Sequence, residues 1–149
     1  MEFAKLYHAP SSPKEREHVL APDELVTEVN IPLPQVSGLR NNASYEVRHK
    51  QAYDWPLVQA AVAFQLDGGK ASKIKIVLGH VAPTPIVAEA AAKGMEGQTV
   101  TEGLATEAGV AAAKGAKPLA QNGYKIKLIE VAVKRAILTA AGMKKYWEV

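Results

Sequence analysis

Val58-Gln-Ala-Ala-Val-Ala-Phe-Gln-Leu-Asp-Gly-Gly-Lys-Ala-Ser-Lys-Ile-Lys-Ile-Val-Leu78 is the stretch that decides the fold. Val58 to Leu66 is apolar and partly β-branched, which suits a half-buried pleated surface. Asp67-Gly-Gly69 follows, and glycine tolerates the positive φ that a tight hairpin turn demands. Ile74, Ile76 and Leu78 then alternate with Lys73, Lys75 and Val77. The lysines mark a solvated face and the isoleucines a buried one. A two-residue turn joins antiparallel strands, so at least this pair runs antiparallel. Gly79-His-Val-Ala-Pro-Thr-Pro85 closes the second strand, because proline cannot donate to a ladder.

Towards the N-terminus two further strands are expected. Tyr45 and Val47 share one face of a strand over about 43–50. Before it, Leu20-Ala-Pro-Asp-Glu-Leu-Val-Thr-Glu-Val-Asn-Ile-Pro32 starts on a turn at Pro22 and Asp23. Leu25, Val29 and Ile31 are then separated by polar Thr27, Glu28 and Asn30, and Pro32 stops the run. That predicts a strand over about 24–31. A loop carrying Pro34, Gly38 and Asn41-Asn42 joins the two. Residues 1–19 show little apolar periodicity and read as an extended lead-in over a surface or a neighbour.

Towards the C-terminus the period changes from about 2 to about 3.6 near residue 86. Val87 to Lys93 is alanine-rich and predicts a helix ending at Gly94. Thr101 is placed to cap a second helix, with Glu102 in its first turn. Leu104, Ala108 and Ala111 share its apolar face, while Gly103 and Gly109 each cost roughly 1 kcal/mol against alanine. Ile126, Ile129, Val133, Ile137 and Ala140 form the apolar stripe of a third helix that Gly142 ends. Strands first and helices afterwards predict an α+β fold, with an antiparallel sheet of three to four strands in the N-terminal half covered by three helices. The expected organisation is a lead-in over 1–19 and a single domain over 20–149.

Composition excludes several chemistries. There is no cysteine, so thiolate nucleophiles, disulfides and Cys-ligated iron–sulfur or zinc centres are ruled out for this chain. The histidines His8, His18, His49 and His80 show no metal-ligand spacing. There is no P-loop, G-x-S-x-G or G-x-G-x-x-G motif. The net charge of +3 is spread among acids, which gives no nucleic-acid footprint. No run of about 18 apolar residues predicts a membrane span, and no basic-then-apolar leader opens the sequence, so a cytoplasmic location is expected. Two polar or aromatic clusters keep two readings each. Arg48, Lys50 and Asp54 are either a solvated strand end with a local ion pair or a polar edge facing a cofactor or partner. Tyr53-Asp-Trp-Pro56 either packs a corner or anchors an interface.

The order of several short motifs resembles one family. Tyr7-His-Ala-Pro10, Pro13, Leu20-Ala-Pro-Asp-Glu-Leu25 and Ile31-Pro32 are similar to the lead-in and first strand of the C-terminal domain of the flavin subunit of molybdenum hydroxylases. That family includes the xanthine dehydrogenase, CO dehydrogenase and aldehyde oxidoreductase enzymes. Tyr45 to Val58, with Arg48, Lys50, Asp54 and Pro56, resembles its second signature. Leu78-Gly-His-Val-Ala-Pro83 resembles its "L-G-x-V-A-P" strand end, and Gly97 the glycine after its first helix. Pro118, Asn122 and Tyr124-Lys125 are similar to the approach to its last helix, with Val133, Arg135 and Ala136 within it.

The resemblance implies a CO dehydrogenase flavoprotein C-terminal-like fold. It implies a part of the flavin subunit of an oxidoreductase that passes electrons from iron–sulfur clusters through FAD to an acceptor. The glycine-rich FAD-binding N-terminal half of that subunit has no counterpart in these residues. FAD is therefore expected only with a partner FAD-binding half, and the chain is not expected to be catalytic alone. The implied partners are that half, an iron–sulfur small subunit and a molybdopterin large subunit, with a homo-oligomer left open. Carried over by position, Leu25 and Val26 would lie near the flavin ring. A family lysine after the aromatic of the second signature falls at Glu46, with Arg48 or Lys50 as its replacement. No catalytic residue and no metal ligand is assigned. The alternative is a non-catalytic interaction or oligomerisation domain derived from this family.

Overall fold

The computed structural model describes residues 1–31, 33, 41–50, 53–143 and 147. Pro32, the loop residues Pro34 and Gly38, and the tail apart from Trp147 lie outside the described residues. Four strands form one antiparallel meander in the order β1-β2-β3-β4. They are β1 (Asn41–Val47), β2 (Val58–Asp67), β3 (Lys70–Gly79) and β4 (Ile86–Val87). Three helices follow: α1 (Glu89–Met95), α2 (Glu102–Ala113) and α3 (Lys125–Ala140). The α+β architecture expected from the period change is the one observed.

The β2–β3 hairpin closes at Asp67↔Lys70, with Gly68 and Gly69 both at positive φ (54° and 82°). That is the type I′ geometry, whose twist matches the strands it joins. One irregularity interrupts the ladder. Ala63 pairs with Lys75 but Gln65 with Ser72, so β3 carries one extra residue, and Lys73 adopts φ 53° there. This β-bulge increases the local twist. The inward side chains Val58, Ala60, Val62 and Phe64 of β2 and Ile76 and Leu78 of β3 are buried. Ala43, Tyr45 and Val47 of β1 pack against that core.

Helix α3 lies on β1 and β2, α1 lies on β3, and α2 packs on both of those helices. The helices thus make two layers over one sheet face instead of one. Ile129, Val133 and Ile137 are buried as the stripe predicted, and Ala132, Ala136 and Leu138 are buried beside them. The wider stripe follows from position: α3 is covered by the sheet on one side and by α2 on the other. Gly109 of α2 has the same origin. A Cβ there would lie 2.5 Å from the Glu130 carbonyl oxygen of α3, so only glycine allows the approach. Thr101 caps α2 by accepting from the Leu104 N–H at 3.1 Å. At the end of α3, Gly142 (φ 69°) donates to Thr139 and Met143 to Leu138, a Schellman closure.

Three expectations are corrected. Residues 24–31 form no strand, and Leu25, Val26, Val29 and Ile31 are all exposed. Their alternation specifies a face but supplies no neighbouring strand, and a lone strand leaves its ladder groups unpaired. The first helix starts at Glu89 because Ile86–Val87 pair with β3, and it runs through Gly94 to Met95. Gly97 (φ 72°), not Gly94, makes the turn that ends it. Finally, residues 1–19 are not simply extended. A 3-10 turn at Phe3–Lys5 leads to an antiparallel bridge between Tyr7 and His18. Glu15 closes the loop between them, accepting from the Ser11 backbone N–H at 2.6 Å and hydroxyl at 2.5 Å and meeting His8 Nε2 at 3.0 Å. The Ser11 hydroxyl and N–H, together with His8, hold the Glu15 carboxyl below the usual glutamate range.

Candidate functional site

The loop that joins β1 to β2 is the most unusual surface of the domain. Its base is closed by the Val47↔Val58 pair and by the Leu57 N–H donating to the Val47 carbonyl at 2.8 Å. Inside it, one Asp54 carboxylate oxygen accepts from the His49 and Lys50 backbone N–H groups, both at 3.0 Å. The charge-assisted bonds fix the rim of the loop. Tyr53 then sits at φ 54°, a left-handed conformation that is strained for a bulky aromatic residue. Its side chain is fully exposed, and Trp55 is 82% exposed. Large aromatic side chains held this far out of a core are characteristic of binding surfaces.

A second non-glycine residue at positive φ lies on the loop that follows β3. His80 follows β3 with φ 62°, and its ring meets Trp55 at 6.3 Å between centroids. Lys125 at the start of α3 donates to the His80 carbonyl at 3.0 Å and holds that turn. Two non-glycine residues at positive φ on adjoining loops are a recognised mark of functional surface. Trp55 and His80 thus form an aromatic shelf at the sheet end, with Tyr53 exposed on the same loop as Trp55.

The sequence-derived residues fall into two groups. Glu46 and Arg48 reach each other: Arg48 Nε lies 3.4 Å from Glu46, whose other oxygen accepts from Gln59 Nε2 at 3.1 Å across the β1–β2 pair. The local ion pair expected here is therefore Arg48–Glu46, while Asp54 serves backbone donors. The Lys50 ammonium has no side-chain partner among the described residues. Of the two cations offered for the missing family lysine, Lys50 is the one left available. Leu25 and Val26 stand elsewhere, lining a pocket of about 400 Å³ formed wholly by residues of the first 30, among them Met1, Phe3 and Leu20. The structure does not gather them with Glu46, Arg48 and Lys50 into one pocket. The Trp55–His80 contact escaped sequence reading, since the residues are far apart in the chain and neither has a motif. The aromatic density of 53–56 was its only signal.

Among the described residues no group of three or more histidine, aspartate or glutamate side chains could hold a metal ion. Nor is any helix there long and apolar enough to cross a membrane.

A family model described as the CO dehydrogenase flavoprotein C-terminal domain matches residues 43–140. The chain belongs to this family. The carbon monoxide dehydrogenase medium chain of Afipia carboxidovorans is 31% identical over 131 residues, which cover 85% of this chain and 44% of that one. Residues 43–149 alone are too few for that coverage, so the likeness begins before residue 43. Among solved structures, quinoline 2-oxidoreductase from Pseudomonas putida 86 superposes with a TM-score of 0.65 at 25% identity, over 68% of this chain and 37% of that one. Carbon monoxide dehydrogenase from Hydrogenophaga pseudoflava, in a form lacking the Mo-pyranopterin moiety of the molybdenum cofactor, gives 0.60 at 32% identity over the same shares. The CO dehydrogenase flavoprotein domain seen here thus spans less than half of the curated relative it matches.

Proposed function

We propose that this domain completes the FAD site of a molybdenum-hydroxylase-type flavin subunit, with the flavin phosphates held by a separate FAD-binding half. The supporting observation is the Trp55–His80 shelf, with the exposed Tyr53 at positive φ on the same loop, in a chain of this family. The shelf and the Lys50 ammonium, which has no side-chain partner among the described residues, suit one part of FAD, the planar ring and its developing negative charge. They do not suit the pyrophosphate, which needs converging backbone N–H groups at a glycine-rich turn. Helix α2 spends its Thr101 cap on its own Leu104 N–H.

In this reading the domain's residues position and shield. Tyr53 and Trp55 exclude water from one side of the ring, which strengthens every electrostatic interaction behind them. Lys50 offers a point charge to the ring edge. Bound FAD supplies the redox chemistry, relaying electrons from iron–sulfur clusters to an acceptor. Leu25 and Val26 reach the cofactor only once the lead-in docks on the FAD-binding half. The wider assembly would include an iron–sulfur small subunit and a molybdopterin large subunit. A second reading, a non-catalytic interaction domain, is favoured by Glu46, whose carboxylate stands at the family's lysine position and is engaged by Arg48 and Gln59.

The test uses the FAD-binding half of the Afipia carboxidovorans medium chain. Calorimetric titration with FAD is run with that half alone and with this chain added. The expected result is at least about tenfold tighter binding, about 1.4 kcal/mol, with most of the gain lost in Trp55→Ala. A complex that forms without any gain in FAD affinity would put the interaction-domain reading first.

A further inference from the structure

A pocket of about 330 Å³ opens between the end of β3, strand β4 and the α2–α3 connection. It does not rest on the flavin reading, since none of Tyr53, Trp55 and His80 lines it. Its size is within the roughly 300–1,000 Å³ of small-molecule sites. The floor is apolar, made by Leu78, Ile86, Ile126 and Ile129. The rim carries Lys114, Lys117 and Lys125, and no acidic residue lines the pocket.

The charge imbalance is local. Three lysines elsewhere in the chain meet acids, Lys5 with Glu2, Lys127 with Glu130 and Lys134 with Glu102, whereas no acid lines this pocket. Lys114 and Lys117 are exposed and have no acidic partner among the described residues. Lys125 is anchored by its bond to the His80 carbonyl, which uses one of three ammonium donors and leaves two. Asn122 is likewise fixed. Its Oδ1 accepts from the Leu119 N–H at 2.6 Å, so its amide nitrogen remains a donor at the pocket wall. An apolar floor beside a lysine rim that carries no acid favours a ligand with an apolar body and a negative end.

We propose that this pocket binds a small amphipathic anion, a carboxylate on a short aliphatic or aromatic body. Its tail would cover Ile86, which is 42% exposed, and its carboxylate would offset part of the positive charge of the lysine rim. A neutral apolar molecule would fill the floor but leave the rim unpaired.

Octanoate and octan-1-ol serve as matched probes on the whole 149-residue chain, followed by amide chemical shifts in 15N-labelled protein. Octanoate should give saturable shifts centred on Val81, Gly115, Asn122 and Ile126. It should bind at least about tenfold tighter than octan-1-ol, and the Lys114→Gln/Lys117→Gln double variant should lose about that factor. Both substitutions are on exposed side chains, and an unchanged spectrum away from the pocket checks that the variant is folded. Absence of saturable shifts, equal binding of the alcohol, or full octanoate affinity in the double variant would each overturn the proposal.

Discussion

Residues 58–78 and residues 20–31 carry the same kind of apolar alternation and end in opposite surroundings. In the first, Val58, Phe64 and Ile76 are wholly buried. In the second, Leu25 is 74% and Ile31 82% exposed. The difference is partnership. Residues 58–78 contain their own turn, so each strand meets the other at once, and the helices that cover them follow in the same chain. Residues 20–31 contain a turn only at their start, where Glu24 donates its N–H to the Ala21 carbonyl and accepts from the Ala21 N–H. The described backbone hydrogen bonds of the lead-in close within it. An alternating pattern therefore states which face a strand would bury, and leaves open which molecule supplies the cover.

The comparison can be broken most severely at the centre of the self-covered region. Val133 is fully buried between the sheet and α2. Val133→Asp places an unpaired charge there, at a cost of about 3–5 kcal/mol, comparable with the total stability of a small domain. Loss of the cooperative melt in circular dichroism is expected, and a melting point within a degree or two of the original would mean that α3 is misplaced.

A smaller effect is expected where α2 crosses α3. Gly109→Ala gains helix propensity but drives its methyl into the Glu130 carbonyl. Overpacking of this kind costs about 1–3 kcal/mol, which outweighs the roughly 1 kcal/mol propensity gain. Urea denaturation should show a lower midpoint with an unchanged slope. A stabilised variant would show that the two helices can separate freely.

The smallest effect belongs to the lead-in. Ile31→Ser should change the melting of the isolated chain by no more than about 0.5 kcal/mol, as for other surface substitutions. A loss as large as that of a core residue would contradict the exposure described above.

The contrast also marks how far sequence reading goes. The hairpin at Gly68-Gly69, the Thr101 cap and the Ile129–Val133–Ile137 stripe were legible because each is a local pattern with a local cause. Strand β4 was not, since two residues between Pro85 and a helix show no periodicity. Gly109 read as a weak helical residue, and its reason lies on another helix. The same holds for the candidate site. A local ion pair was expected among Arg48, Lys50 and Asp54, whereas Arg48 pairs with Glu46 and Asp54 accepts from backbone N–H groups. The Gln59 bond to Glu46 depends on strand register, and the Trp55–His80 contact depends on two loops meeting at one sheet end. Neither is written in either loop alone.

The sheet and helices cover one another, whereas none of residues 20–31 is buried, and the proposed function gives their cover to a flavin-binding half. Hydrogen exchange read by mass spectrometry tests it directly, because local opening energies run from near zero to the global value within one molecule. In the isolated chain, amides of β2, β3 and α3 should exchange slowly and those of residues 20–31 close to the unprotected rate. Adding the FAD-binding half of the Afipia carboxidovorans medium chain should slow exchange across 20–31 and around Tyr53 and Trp55. Protection of 20–31 equal to that of β2 in the isolated chain, or no gain in protection in the complex, would contradict the account.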